Sequence, residues 1–594
     1  MMKKTEIWTL VCFVLLSFCS VAQEADWRNV KTGANPIYTN GYCDQPYVVV
    51  LPNGKWLCVF TTGAGEEGTG GQHIVSTVSS DFGKAWTVPV KIEEPHLESA
   101  SWAMPYVTSF GRVYVFYNYN GDKIHSLGKN NNIREDMLGW YCYRYSDDEG
   151  KTWSRRYRLD VRKTGVDYAN NWQGEVQILW GIGKPVNVDK GMMFSFAKIR
   201  EYLLNDSEGW YFRCDNINTE KNVDKLKFVM LPEGDTGVKN EAYGPVNSEQ
   251  NIFQMNNGYL YSMQRTISGY PLEAYSTNGG KSWSTPVPPV YETGIAIKTP
   301  RACPRVWKCK NGKYLFWYHN HSGKTFADRN PAWISGGIEK NGKIIWSQPE
   351  ILLYEPDIHI RMSYPDLIEQ NGKYWVTETN KEEARCHEIP ADFFNLIWEQ
   401  FGISRVATEN LVHSFEQPAL SSNSTHTINT PDVSFAKGIS FDFVVELSSP
   451  APKQLIFELR DEKNKSITMQ TGMYGDIEVV INDGNTVDKW TSDPGLIPVY
   501  GKHTITATLD NGPKIIQFIV DGVVCNGNEA RQYGWGRYSA NLNDLKPVSL
   551  FVGNLKADNI REPGNLSQLR IYNRPLLNTE AIGNQRQYKS DKTK

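Results

Sequence analysis

Carboxylates, guanidines and phenols are the groups through which this chain could do chemistry. Thiols and imidazoles are poorly placed for it. Of ten cysteines, Cys12 and Cys19 fall in an apolar N-terminal stretch, and the other eight, Cys43 to Cys525, are scattered with no Cys-x-x-Cys pair. They fit small buried hydrophobes, with a disulfide or two open in an oxidising compartment. His319 and His321 form the only close histidine pair. Such a pair in a strand serves packing or hydrogen bonding, so neither a metal nor another cofactor is expected. A glycine-rich run from Gly63 to His73 carries Glu66 and Glu67. Its composition suits the mobile rim of a site, although solvated charge is the bland reading of both glutamates.

The rest of the chain must position such groups. Its 594 residues exceed one compact core, and two folded domains are expected. A net charge of −3 without a basic run argues against nucleic acid as a partner. The 19 Trp and 31 Tyr suit sugar rings, and equally suit the core of a β-rich protein. Lys3 and Lys4, the apolar run Ile7 to Phe18 and the small residues Ser20-Val21-Ala22 read as a signal peptide, residues 1–22, cleaved after Ala22. A secreted or periplasmic protein follows. Lipid anchoring through Cys19 is disfavoured by the bulky Phe18, and no later stretch is apolar enough to span a membrane.

One motif, Ser-x-Asp-x-Gly-x-x-Trp, recurs at Ser79 to Trp86 and Ser146 to Trp153, and with Asn for Asp at Ser276 to Trp283. Its chemistry is that of a hairpin turn: Asp or Asn caps backbone N–H groups, Gly turns left-handed, and Trp packs beneath. Asp81 and Asp148 are 67 residues apart, and Asp148 and Asn278 are 130 apart. The double gap implies a unit that has lost its box near Trp210 to Asn216, and a degenerate copy follows near Ser335 to Trp346. One hairpin signature per unit of this length means propeller blades, about six between Ala25 and Arg405. Runs such as Tyr47 to Leu51, Arg112 to Tyr117 and Lys313 to Tyr318 read as their strands. The expected fold is therefore all-β: a six-bladed β-propeller over 23–408, then strands over 409–594. The closing stretch Leu566 to Leu576 resembles the end of laminin-G-like, concanavalin-type jelly rolls, which act as sugar-binding accessories or structural lids. Because the repeats and their closure lie upstream, the first unit is expected to fold without the second.

The box resembles the Asp-box of sialidases and other secreted propellers. A looser likeness to the sialidase (neuraminidase) superfamily extends along the propeller. Ser248-Glu249-Gln250 through Asn257-Gly258 to Gln264-Arg265 has the family's Glu, turn and Arg in order. Arg329-Asn330-Pro331 resembles the Arg opening a later strand, and Ser363-Tyr364-Pro365-Asp366 the segment carrying a tyrosine nucleophile. The resemblance implies Tyr364 as nucleophile, Glu249 as its base, and Arg265 and Arg329 as a clamp on the substrate carboxylate. A substrate with a carboxylate on its anomeric carbon repels an Asp or Glu nucleophile, whereas a neutral phenol beside a base can attack. Arg forks hold the carboxylate.

One departure stands out. Where sialidases carry a first-blade Arg, this chain has Asp44 in Tyr42-Cys43-Asp44-Gln45-Pro46. Either Asp44 is protonated or paired, or Arg301, Arg305 or Arg361 substitutes, Arg301 foremost, or the substrate differs; Asp44 and Gln45 would then face it. Glu67 or Glu66 would be the general acid. The implied activity is that of a retaining exo-α-sialidase acting on sialylated or other acidic glycans. The alternatives are a propeller glycosidase or polysaccharide lyase acting on uronate-containing glycans, and a non-catalytic glycan-binding protein.

Overall fold

The computed structural model describes residues 26–125, 134–201, 206–416, 424–427, 435–447, 449–499, 501–547, 549–553 and 565–593. The expected leader lies outside them. No helix among the described residues is long and apolar enough to cross a membrane. The architecture is all-β and antiparallel.

Six sheets follow in chain order, and their inner strands are Tyr42–Val50, Ala100–Val107, Leu179–Val188, Ser248–Gln254, Arg305–Lys308 and Ser363–Gln370. Each inner strand neighbours the next, and the sixth neighbours the first. In the sixth sheet Ala34–Tyr38 pairs with Ala384–Ile389, so the start of the described chain completes the sheet formed by its later part. The expected strands are present: Tyr47 to Val50 lies in an inner strand, and Val113–Tyr119 and Tyr314–Tyr318 are second strands.

The boxes follow the third strands and act as their residue types require. Ser79 Oγ accepts from the Gly83 amide at 2.9 Å, and Asp81 accepts from the Ala85 amide at 3.0 Å. Asp148 and Asn278 accept from the amides of Thr152 and Ser282 in the same way. Gly83 and Gly150 are left-handed, with φ of 79° and 83°. The box-less third strand is Ser207–Cys214, and the degenerate copy is the hairpin Ala332–Lys340 to Lys343–Trp346. Helix Ala391–Glu399 departs from the strand pattern. It lays Phe393, Phe394, Ile397 and Trp398 on the fifth and sixth sheets, and Trp398 Nε1 donates to the Tyr314 carbonyl at 2.9 Å.

The later strands form a seven-stranded and a six-stranded sheet around one apolar core, which includes Phe441, Phe457, Ile467, Ile505 and Phe518. This part is not free-standing. Ile515 and Trp535 belong to the core cluster of Phe316, Trp333 and Trp346 in the fifth sheet. Arg28 Nη1 meets Asp510 at 2.6 Å, and buried Glu350 accepts from the amides of Asn578 and Thr579 at 3.0 and 2.7 Å. These contacts weigh against the expectation that the first unit folds alone, because cutting the chain would expose Trp333, orphan buried Glu350 and leave Arg28 with Asp26 only. A chain ending at residue 408 should be insoluble or lack a cooperative thermal transition. A soluble fragment that melts cooperatively by circular dichroism would show these contacts to be dispensable.

Candidate functional site

Four inner strands carry the same irregularity near their starts. The pairing register shifts between Asp44 and Tyr47, Ser101 and Met104, Ser248 and Asn251, and Ser363 and Asp366. Within each shift one side-chain-bearing residue is left-handed: Gln45, Trp102, Glu249 and Tyr364, with φ between 47° and 62°. Bulges re-aim side chains, and each such conformation costs about 1–3 kcal/mol unless its surroundings hold it. The strained residues include the nucleophile and base expected from the sequence.

The sites on Tyr364, Glu249 and Arg265 meet. Tyr364 Oη donates to Glu249 Oε1 at 3.0 Å, Arg265 Nη1 meets the same oxygen at 2.5 Å, and Trp180 Nε1 donates to it at 3.2 Å. All three expected residues are nearly out of water; Glu249 is 1% exposed. Burial, then the negative charge of Glu249, pushes the Tyr364 phenol well above its ordinary range, so it needs a base. Arg329 comes to the same place. Its Nη1 donates to Ser363 Oγ at 3.0 Å and its Nη2 to the Arg301 carbonyl at 2.7 Å. The Nε atoms of Arg265 and Arg329, Glu249 Oε2 and both amide atoms of fully buried Gln45 have no protein partner.

Asp44 is paired, and the cation that meets it is Lys381 rather than Arg301. Lys381 Nζ hydrogen-bonds Asp44 Oδ2, lies 3.3 Å from Glu67 Oε2, and sits 4.2 Å above the centre of the Tyr364 ring. Tyr42 Oη donates to Asp44 at 3.1 Å. Arg301 and Arg361 instead place their guanidinium groups over the half-exposed ring of Phe326, at 5.1 and 5.6 Å. Arg305 stacks on Tyr47 and bonds Asn251. Arg134 bridges Glu67 at 3.2 Å and Asp136 at 2.7 Å while facing the Trp180 ring at 5.0 Å. Trp102 is buried against Trp180 with ring centres 4.2 Å apart.

These pairings separate two carboxyls. Burial pushes both up. At Glu67 the charges of Lys381 and Arg134 outweigh it and hold the group below the usual carboxylate range. At Asp44 burial prevails over Lys381, and nearby Glu67 adds to the rise. Glu67 is thus held as an anion, a poor state for the expected proton donor, and Asp44 is the better holder of a proton. The described cysteines are all buried and unpaired, so no disulfide braces the site. His319 and His321 bond the backbone at Pro331 and Asp328. Sequence reasoning missed Lys381 and Arg134 altogether.

Residues 8–179, which include the first two boxes, match the family model of the BNR repeat-like domain. No curated protein matches the chain. Among solved structures, Trypanosoma rangeli sialidase aligns at 12% identity over 94% of this chain and 97% of its own, with a TM-score of 0.41. The intramolecular trans-sialidase from Ruminococcus gnavus aligns at 15% identity over 62% and 99%, with a TM-score of 0.43. A protein of unknown function from Dyadobacter fermentans aligns at 14% identity over 60% and 98%, with a TM-score of 0.45.

Lys381→Met should expose the electrostatic balance. It removes the cation that buried Asp44 shares with the Glu67 anion, which costs about 3–5 kcal/mol at neutral pH. Glu67 has a depressed folded pKa, so its stabilisation is present above its unfolded value and lost as pH falls through the folded one. In the variant both carboxyls shift up, and protonation relieves the loss. The stability difference from wild type in urea should therefore shrink from pH 7 toward about pH 4. A pH-independent difference would mean that Lys381 matters only through packing.

Proposed function

We propose that this protein is a secreted or periplasmic exo-α-sialidase, a six-bladed β-propeller over 23–408 with a concanavalin-like sandwich over 409–594. The observation that carries the reading is the buried Tyr364–Glu249–Arg265 contact at the start of two inner strands. The ring of inner-strand neighbours supports the propeller.

In this reading the substrate carboxylate lies against Arg265 and Arg329, whose Nε groups lack protein partners. The Tyr364 oxygen attacks the anomeric carbon as Glu249 takes the phenol proton. The bond from that carbon to the leaving oxygen breaks, and Asp44 gives that oxygen its proton. Water then attacks the tyrosyl intermediate, Asp44 accepts a proton from the water, and Glu249 returns one to the phenolate. Configuration is retained. Lys381, above the Tyr364 ring, stabilises the negative charge that develops on the phenol as its oxygen attacks and again as it leaves. Admission of a glycan requires the Glu67 pairs with Arg134 and Lys381 to part, and the left-handed glycines 65, 68 and 71 give that loop its conformational freedom.

Tyr364→Phe should lower sialic acid release from sialosides about a thousandfold or more with little change in KM. Glu249→Gln should do nearly the same, and the double variant should be little worse, because the two act as one unit. Asp44→Asn should slow alkyl sialosides far more than aryl ones, whose leaving groups need no proton. Equal slowing of both would return the donor role to Glu67. Cleavage of uronate glycans with an unsaturated product, and no release of sialic acid, would establish the lyase alternative.

A further inference from the structure

The loop leading into Arg329 is not held by its own sheet alone. It runs from His319 to Pro331 and contains two left-handed residues, Asn320 with φ 48° and Asp328 with φ 57°. Both are gripped by the later sheets. Trp535 Nε1 donates to the Asn320 carbonyl at 2.9 Å, and Tyr533 Oη donates to Asp328 Oδ2 at 2.5 Å. Arg537 Nη2 donates to the Asn330 carbonyl, on the far side of Arg329. The Gln532 amide meets His321 Nδ1 at 3.2 Å, and the His321 ring stacks on Tyr533 at 4.8 Å. His321 in turn bonds the Asp328 carbonyl at 2.8 Å.

The gripping segment is itself anchored to the earlier sheets. The buried Lys298 ammonium donates to the carbonyls of Asn526, Asn528 and Arg531 at 2.9, 2.5 and 3.2 Å. Three carbonyls satisfy all three of its donors, so the segment has a fixed seat. Tyr270 Oη adds a bond to Glu529 at 3.0 Å.

We propose that Tyr533, Trp535 and Arg537 are positioning residues of the active site: the later sheets set the Arg329 guanidinium, and through it the Tyr364 segment. The route from sandwich to site is continuous. Arg329 joins Ser363 through its side chain and receives the Met362 amide on its carbonyl at 3.1 Å; Tyr364 follows directly. Left-handed Asp328 and Asn320 would relax toward commoner conformations if released. A guanidinium must be placed within a fraction of an ångström to meet a carboxylate with two bonds. A domain that serves only as a separate glycan-binding module would need no grip on this loop. The inference rests on the reading of Arg329 as a carboxylate ligand only for its functional consequence.

The test uses the full chain with Tyr533→Phe, and Asp328→Asn as a second variant that keeps the left-handed preference. Hydrogen exchange by mass spectrometry reads the loop, and calorimetry reads binding of N-acetylneuraminic acid against its methyl ester. Exchange should rise in peptides covering 320–331 and 361–366, and affinity for the acid should fall about tenfold while the ester is unaffected. KM should rise and kcat should change less. Exchange that rises only within 526–537, in both variants, overturns the proposal. Exchange that rises at 320–331 with unchanged preference for the acid upholds the positioning and instead overturns the role given to Arg329.

Discussion

A carboxylate removed from water stays charged only where donors and cations face it, and Glu249 is the group on which the site turns. Its Oε1 receives the Tyr364 phenol, the Arg265 guanidinium and the Trp180 indole. Glu249 is 1% exposed, so removing Arg265 would leave a buried carboxylate without the cation that faces it. The left-handed bulges at Glu249 and Tyr364 bring the two side chains together, although they lie in the fourth and sixth sheets. The strain they hold is affordable because the surrounding strands leave no alternative.

A second charge system sits over the first. Lys381 joins Asp44 to Glu67, and Arg134 joins Glu67 to Asp136. Asp44 and Glu67 are the same distance in chemistry from an ordinary carboxyl, yet their neighbours drive them in opposite directions. Two groups whose surroundings separate their proton affinities are what acid–base chemistry needs. The same arrangement means that Asp44 does not stand in the site as a bare charge.

Much of the architecture was legible in the chain. The boxes announced themselves because a hairpin needs its cap, its glycine and its tryptophan within eight residues, and the hydrogen bonds that close the turn are local. The meeting of Glu249, Arg265 and Tyr364 was foreshadowed by their order along the chain. Lys381 was not: Asn380-Lys381-Glu382-Glu383 has the composition of a solvated turn, and only the meeting of the first and sixth sheets buries it. The bulges were hidden too. Proline follows both Gln45 and Tyr364, and a residue before proline is biased toward extended backbone rather than the left-handed region. Helix Ala391–Glu399 was overlooked among strands despite the helical spacing of Phe393, Phe394, Ile397 and Trp398. Contacts between Asp328 and Tyr533, two hundred residues apart, leave no mark on local pattern at all, which is why the later sheets looked separable.

The proposed covalent role of Tyr364 is tested most directly with a fluorinated sialic acid that forms the glycosyl intermediate but hydrolyses it slowly. Digestion and mass spectrometry of the trapped protein should find the sugar on the peptide containing Tyr364, bonded to the phenol oxygen, and Tyr364→Phe should abolish the adduct. A sugar attached to any other residue, or a first-formed product of inverted configuration from a natural sialoside, would contradict the tyrosyl mechanism.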